Sequence, residues 1–244
     1  MTEPRRKGQV KWLDFSAQRV YNGGVKKKKK KKKKNEGDGK MKLLVLDTET
    51  LGLFNPLVYD LGYLIYDTET EEVLVKRDYI IKQVYDNESY MKTAYYGWKK
   101  PLYEQMLAAD GCKKVFWGMA MLILMKDIER VMADGSELYA YNSKFDYNAI
   151  QITCEKYSAR RNPTFSGIKD IMDYIKPITE TEEYKEFCFN NGFITKHKVP
   201  RPQKKAETLF RYLSGETEFE EKHMALNDSE IELEILLSAL GLKN

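Results

Sequence analysis

A chain of 244 residues with 42% apolar and 12% aromatic content is long enough to bury a substantial core and too apolar to be disordered throughout. Its net charge of +4 hides an asymmetry: residues 1–40 carry 15 Lys/Arg against 4 Asp/Glu, while the remaining 204 residues are net −7. The longest apolar run, residues 115–125, is too short to span a bilayer, and three cysteines at 112, 154 and 188 match neither a disulfide framework nor a zinc cluster. With no apolar core of a secretory signal at the N-terminus, the composition predicts free thiols, no membrane span and a cytoplasmic protein.

In chain order, residues 26–34 are nine consecutive lysines flanked by glycines. Such a block repels itself and predicts a disordered basic tail over 1–40, ahead of a folded domain over 41–244. The tail reads equally as a non-specific grip on phosphates or as a solvated linker. Residues 42–47 predict a buried strand. Residues 61–82 alternate around the acidic turn at 68–72 and predict an antiparallel hairpin. Residues 113–135 predict one long helix ending at Asp134-Gly135. Residues 137–146 read as strand then loop, 146–157 as helix, and 167–175 as a strand leading into a helix. Asn191-Gly192 lies between two aromatic runs and predicts a hairpin over 187–198. Amphipathic helices are predicted over 203–213 and 228–240. Strands first in a meander, then alternating with helices, indicate an α/β domain with a mixed sheet.

The stretch DTETLG (47–52) carries the first chemical signal. Residues i and i+2 of a strand share a face, so Asp47 and Glu49 aim together while Leu46 and Thr48 face away. Two adjacent carboxylates repel unless a cation sits between them, and oxygen ligands suit magnesium or manganese. Asp146 follows a strand at the C-terminal side of the predicted sheet, where open α/β sheets place ligands. Asn142 is placed to fix that loop by side-chain hydrogen bonds, and Phe145 to pack or stack. His223 precedes Asp228 by five residues, about 140° apart on a continuous helix. They flank one site only if Asp228 lies in the first turns and His223 in the approach.

These motifs resemble those of the DEDDh 3′–5′ exonucleases of the ribonuclease-H-like superfamily, which include polymerase proofreading subunits, ribonuclease T and oligoribonucleases. DTETLG matches the first motif, NSKFD (142–146) the second and HMALND (223–228) the third, in order and approximate spacing. Leu51 departs from the threonine common in proofreading relatives, and the middle of the chain is unusually long. The resemblance implies a ribonuclease-H-like mixed sheet flanked by helices. It also implies two Mg2+ ions, with Mn2+ as substitute, held by Asp47, Glu49, Asp146 and Asp228, and His223 as general base. The product would be a nucleoside 5′-monophosphate from a single-stranded 3′ end, with DNA favoured and RNA the alternative; a polymerase is the implied protein partner. A catalytically silent nucleic-acid-binding module is the rival outside the enzyme class. By the same resemblance Thr50 and Leu53 contact the terminal nucleotide and Phe145 packs beside it.

An acidic body that binds a polyanion needs a local basic surface. Residues 194–205, with Lys196, Lys198 and Arg201 after the predicted hairpin, are expected to lie at the mouth of the site near aromatic side chains. The run AYYGWKKPLY (94–103) reads first as core and rim packing and second as a base-stacking surface.

Overall fold

The computed structural model describes residues 41–54, 56–133, 136–157 and 167–243; the lysine block, the rest of the tail and the expected helix stop at Asp134-Gly135 lie outside them. Strands β1 (Lys42–Thr50), β2 (Val58–Asp67) and β3 (Glu72–Ile81) form an antiparallel meander. Strand β4 (Lys113–Val115) adds in parallel to β3, and β5 (Glu137–Ala140) adds in parallel to β1, followed by β6 (Ile168–Asp170). The sheet order is β4-β3-β2-β1-β5-β6: the mixed α/β sheet that the alternation predicts. The helices are α1 (Lys82–Tyr85), α2 (Glu88–Thr93), α3 (Lys100–Ala108), α4 (Trp117–Ala133) and α5 (Ser143–Tyr157). They continue with α6 (Ile171–Tyr174), α7 (Lys176–Thr179), α8 (Glu182–Asn190), α9 (Ala206–Ser214) and α10 (Ala225–Ala239). Among the described residues no helix is long and apolar enough to cross a membrane.

Strand β1 divides two cores. Leu44 and Leu46 face a cluster with Trp117, Leu124 and Ile150 from α4 and α5, while Leu43 and Val45 face one with Ile231, Ile235 and Leu236 from α10. All four β1 side chains are fully buried, each stabilising the fold by about 2 kcal/mol. Alternation therefore assigns odd positions of β1 to the α10 face and even positions to the α4/α5 face.

Two sequence expectations are corrected. The helix expected from residue 113 starts at Trp117, because Lys113–Val115 pair with Tyr79–Ile81 at the sheet edge. The Gln83 side chain then accepts from Trp117 N at 2.9 Å and caps the helix. The hairpin expected about Asn191-Gly192 is instead the end of α8. Phe193 N donates to Cys188 O at 2.8 Å and Gly192 N to Phe189 O at 3.4 Å, with Gly192 at φ +75°. These are the bonds of a left-handed helix stop, which uses the same Asn-Gly pair as a tight hairpin. Thr181 caps the other end of α8 by accepting from Tyr184 N, and Tyr184 and Cys188 are buried at helical spacing. Pairing comes later, where Thr195 N donates to Arg201 O and Gln203 N to Phe193 O.

Candidate active site

Because β1 and β5 run parallel, their C-terminal ends lie together, and the candidate residues converge there. Asp47 and Glu49 point to the α10 face of β1. Asp228 enters from the first turn of α10. Asp146 lies in the first turn of α5, which begins at Ser143 and not at Asp146; a helix N-terminus favours a carboxylate there. Thr48 faces away from Asp47, towards α5, and fixes Asp146: its N and Oγ1 donate to Asp146 Oδ1 at 3.0 and 2.7 Å.

Helix α10 comes this close only because position 62 is glycine. Gly62 pairs with Asp47 across the β1–β2 ladder, and a Cβ there would lie 2.0 Å from Leu226 N. Asp60, paired with Glu49 across the same ladder, accepts from Ala225 N at 3.0 Å and from Tyr103 Oη at 2.9 Å. The start of α10 is thus seated on β2, and His223 sits just before it with φ +50°. His223 and Asp228 do flank one site, with Nδ1 of the imidazole 3.9 Å from Asp228 Oδ2 and 3.6 Å from Glu221 Oε2. One ligand atom each from Glu49, His223 and Asp228 lies within 4.8 Å of the others.

A segment from the middle of the chain closes over the histidine. The Tyr96 ring stacks on His223 with centroids 4.4 Å apart. The buried Lys99 donates to the carbonyls of Lys222 and His223 and lies 4.4 Å from the Tyr96 ring centroid. Within 94–103 the core expectation holds for Tyr103, which is buried, whereas Tyr95 and Trp98 are exposed. Tyr96 and Lys99 instead reach the site.

Burial and mutual repulsion dominate the electrostatics. Burial pushes Glu49 up to about 8, with Asp60 adding to it. It raises Asp146 to about 7 and Glu221 to about 7. Asp47 and Asp228 are held well above the usual carboxylate range, first by burial and then by neighbouring acids. His223 is pushed down by burial and by Lys99, so its imidazole is neutral near physiological pH.

The residues fit a divalent-cation centre. Carboxylates packed this way need cationic charge between them, and Asp228 Oδ1 is buried with no hydrogen-bond partner. Among the described residues Lys99 is the cation acting most strongly on Glu49 and Asp228.

The remaining expected site residues are more scattered. Thr50 is buried at the end of β1, whereas Leu53 is 78% exposed. Asn142, at φ +58°, is held through its main chain: its N–H donates to Asp170 Oδ1 at 3.0 Å, and its carbonyl accepts from Phe145 N. Phe145 is half-buried. Lys196, Lys198 and Arg201 are exposed on the 193–203 loop. It is Lys205, further along, whose charge acts on Glu221 and His223. Sequence reasoning missed Asp60, Lys99, Glu221 and Glu232. Two had a signal: Asp60 interrupts an apolar strand, and Glu232 is one helical turn after Asp228.

No family model and no curated protein matches the sequence. Solved structures do. The chain is similar to a 3′-exonuclease in a structure of 3′-end-specific recognition of a histone mRNA stem-loop, with TM-score 0.54 and 14% identity, covering 83% of this chain and 82% of that one. It is also similar to a full-length 3′-exonuclease, with TM-score 0.52 and 16% identity over 86% of this chain and 64% of the other. An Exonuclease I from Methylocaldum szegediense matches with TM-score 0.50 and 16% identity, over 81% of this chain and 40% of that one. The chain spans under two thirds of the latter two proteins. At these identities the likeness shows the fold: a mixed six-stranded α/β sheet of the kind found in 3′-exonucleases.

Proposed function

We propose that the chain is a metal-dependent 3′–5′ exonuclease of the DEDDh type, releasing nucleoside 5′-monophosphates from single-stranded 3′ ends. The observation that carries the reading is the acidic centre at the end of β1, where Glu49, His223 and Asp228 offer ligand atoms within 4.8 Å of one another and where Asp146 and Asp228 act on the buried Asp47. Asp47, Glu49, Asp146 and Asp228 would hold two Mg2+ ions, or Mn2+ in their place. Such a pair of ions supplies charge stabilisation to both the attacking and the leaving oxygen of a phosphodiester.

The chain's own residues do the rest. Thr48 keeps Asp146 turned towards the centre, and Asp60 anchors the helix that carries Asp228. His223 is neutral and takes the proton of the attacking water. With Nδ1 turned towards Glu221 and Asp228, Nε2 is the nitrogen that receives it. Thr50, Leu53 and Phe145 border the terminal nucleotide, and the exposed Lys196, Lys198 and Arg201 meet the phosphates behind it. A polymerase remains the protein partner this reading suggests. Three cysteines outside any disulfide support a reducing, cytoplasmic setting.

DNA is the first substrate of this reading. RNA is the second, since one of the similar structures concerns recognition of an mRNA stem-loop. The test is cleavage of 5′-labelled single-stranded DNA and RNA of matched sequence. Stepwise 3′ shortening with Mg2+, none in EDTA and none on a 3′-phosphate end are expected. Undiminished cleavage in EDTA, or rapid cutting of circular DNA, would reject the proposal.

A further inference from the structure

Helix α10 delivers a second acid to the same centre. Glu232 follows Asp228 by four residues, about 40° around the helix, so both project from one face. It is only 4% exposed, and the helix positions beside it, Ile231 and Leu233, belong to the apolar core. An apolar side chain would suit such a position. The main-chain N–H of Tyr141 donates to the Glu232 carboxylate, yet Oε2 is buried with no hydrogen-bond partner.

The charges acting most strongly on Glu232 are negative: Asp146 first, then Asp228 and Glu221. On Asp47, Glu232 ranks second only to Asp146. Lys99 acts on Glu49, Asp228 and Glu221. Glu49 and Asp228 have Lys99 and His223 near them, while the strongest charges acting on Asp47 and Glu232 are carboxylates. A carboxylate buried among others, with an oxygen unsatisfied, carries a large desolvation penalty unless a cation joins it.

We propose that Glu232 is a fifth carboxylate of the metal centre, adding its charge to that of Asp47 and Asp146 in holding a divalent cation. It contributes either directly or through an ordered water, and it sets how tightly that ion is held before nucleic acid arrives. The inference rests on the exonuclease reading, because it takes the divalent ion from there.

The test is Mn2+ binding to the full chain without nucleic acid, followed by electron paramagnetic resonance of the free ion. Wild type, Asp146→Asn, Glu232→Gln and Glu232→Asp are compared, with circular dichroism to verify folding. Glu232→Gln keeps the volume and removes the charge. It should weaken one Mn2+ site by roughly 10–100-fold, the range expected when a supporting group of a metal site is lost. Glu232→Asp keeps the charge one methylene further back and should weaken the site less. If Asp146→Asn loses Mn2+ while both Glu232 variants bind it like wild type, the role given to Glu232 is wrong and the exonuclease reading stands. If wild type takes up no Mn2+, both proposals fall.

Discussion

The rings of Tyr96 and His223 stack with centroids 4.4 Å apart and planes 15° from parallel, and Lys99 grips the main chain of the same histidine. A residue from the α2–α3 connection therefore sets the plane of the imidazole, and a second holds its backbone at a positive φ. Gly97 makes the turn between them, since a Cβ there would lie 2.2 Å from Met91 O.

This clamp predicts a division between turnover and binding. Lys99→Met keeps the aliphatic stem but releases the 222–223 carbonyls, so His223 is no longer held over the centre. We expect kcat to fall by about 10²-fold, the scale of an ångström-level misplacement, with KM little changed. Lys99→Arg should recover part of the loss. Steady-state kinetics on a 5′-labelled oligonucleotide decides, and a Lys99→Met enzyme with wild-type kcat would remove the clamp from the mechanism.

Gly62 should be intolerant of any side chain. With Leu226 N 2.0 Å from the position of a Cβ, Gly62→Ala must lift α10 from β2. Overpacking of this kind costs about 1–3 kcal/mol, and the shift also carries Asp228 away from Glu49. Urea unfolding should show the destabilisation and nuclease assays a loss larger than stability explains. Unchanged stability would mean that α10 is seated elsewhere.

The pH dependence of stability has a definite sign. Glu49 at about 8 and Asp146 at about 7 are raised by burial above the ordinary carboxylate value, which in the unfolded chain is about 4. A carboxylate with a raised folded pKa contributes stability at low pH that is lost as pH rises to the folded value. Without divalent metal, Tm should therefore decline from about pH 5 through about pH 8. Added Mg2+ favours the charged forms and should flatten the decline. A metal-free Tm that climbs through that interval would contradict the electrostatics of the site.

The two basic regions should behave differently in salt. Removing residues 1–40, net +11, leaves every proposed catalytic residue in place, so turnover at saturating substrate should be unchanged. Binding should weaken at low salt and its salt dependence should flatten, by about 0.7 in log–log slope for each phosphate the tail no longer neutralises. Neutralising Lys196, Lys198 and Arg201 together should raise KM even at moderate salt, because they sit on a loop ordered by Thr195 and Arg201. A truncated enzyme with reduced turnover, or a loop variant matching wild type throughout, would place the working basic surface elsewhere.

Local pattern was enough for the strand ending in Asp47-Thr48-Glu49, the hairpin of β2 and β3, and the helices carrying Asp146 and Asp228. Each depends on interactions within a few residues: apolar alternation, a turn, a helical repeat. The motif spacing also marked the residues that converge. Local pattern could not separate a helix stop from a hairpin at Asn191-Gly192, since both use the same left-handed glycine; only the burial of Tyr184 and Cys188 against the α10 core decided it. Nor could it find Lys99, and it marked Asp60 and Glu232 as unusual acids without showing what they approach. Lys99 comes to His223 across 124 residues of sequence and Asp60 to Ala225 across 165. Their roles follow from β2 pairing with β1 and from α10 seating on Gly62, an arrangement that exists only once the sheet has closed. The identities of the acids were local information, whereas the proximity that makes them repel, and so calls for a cation, belongs to the tertiary structure.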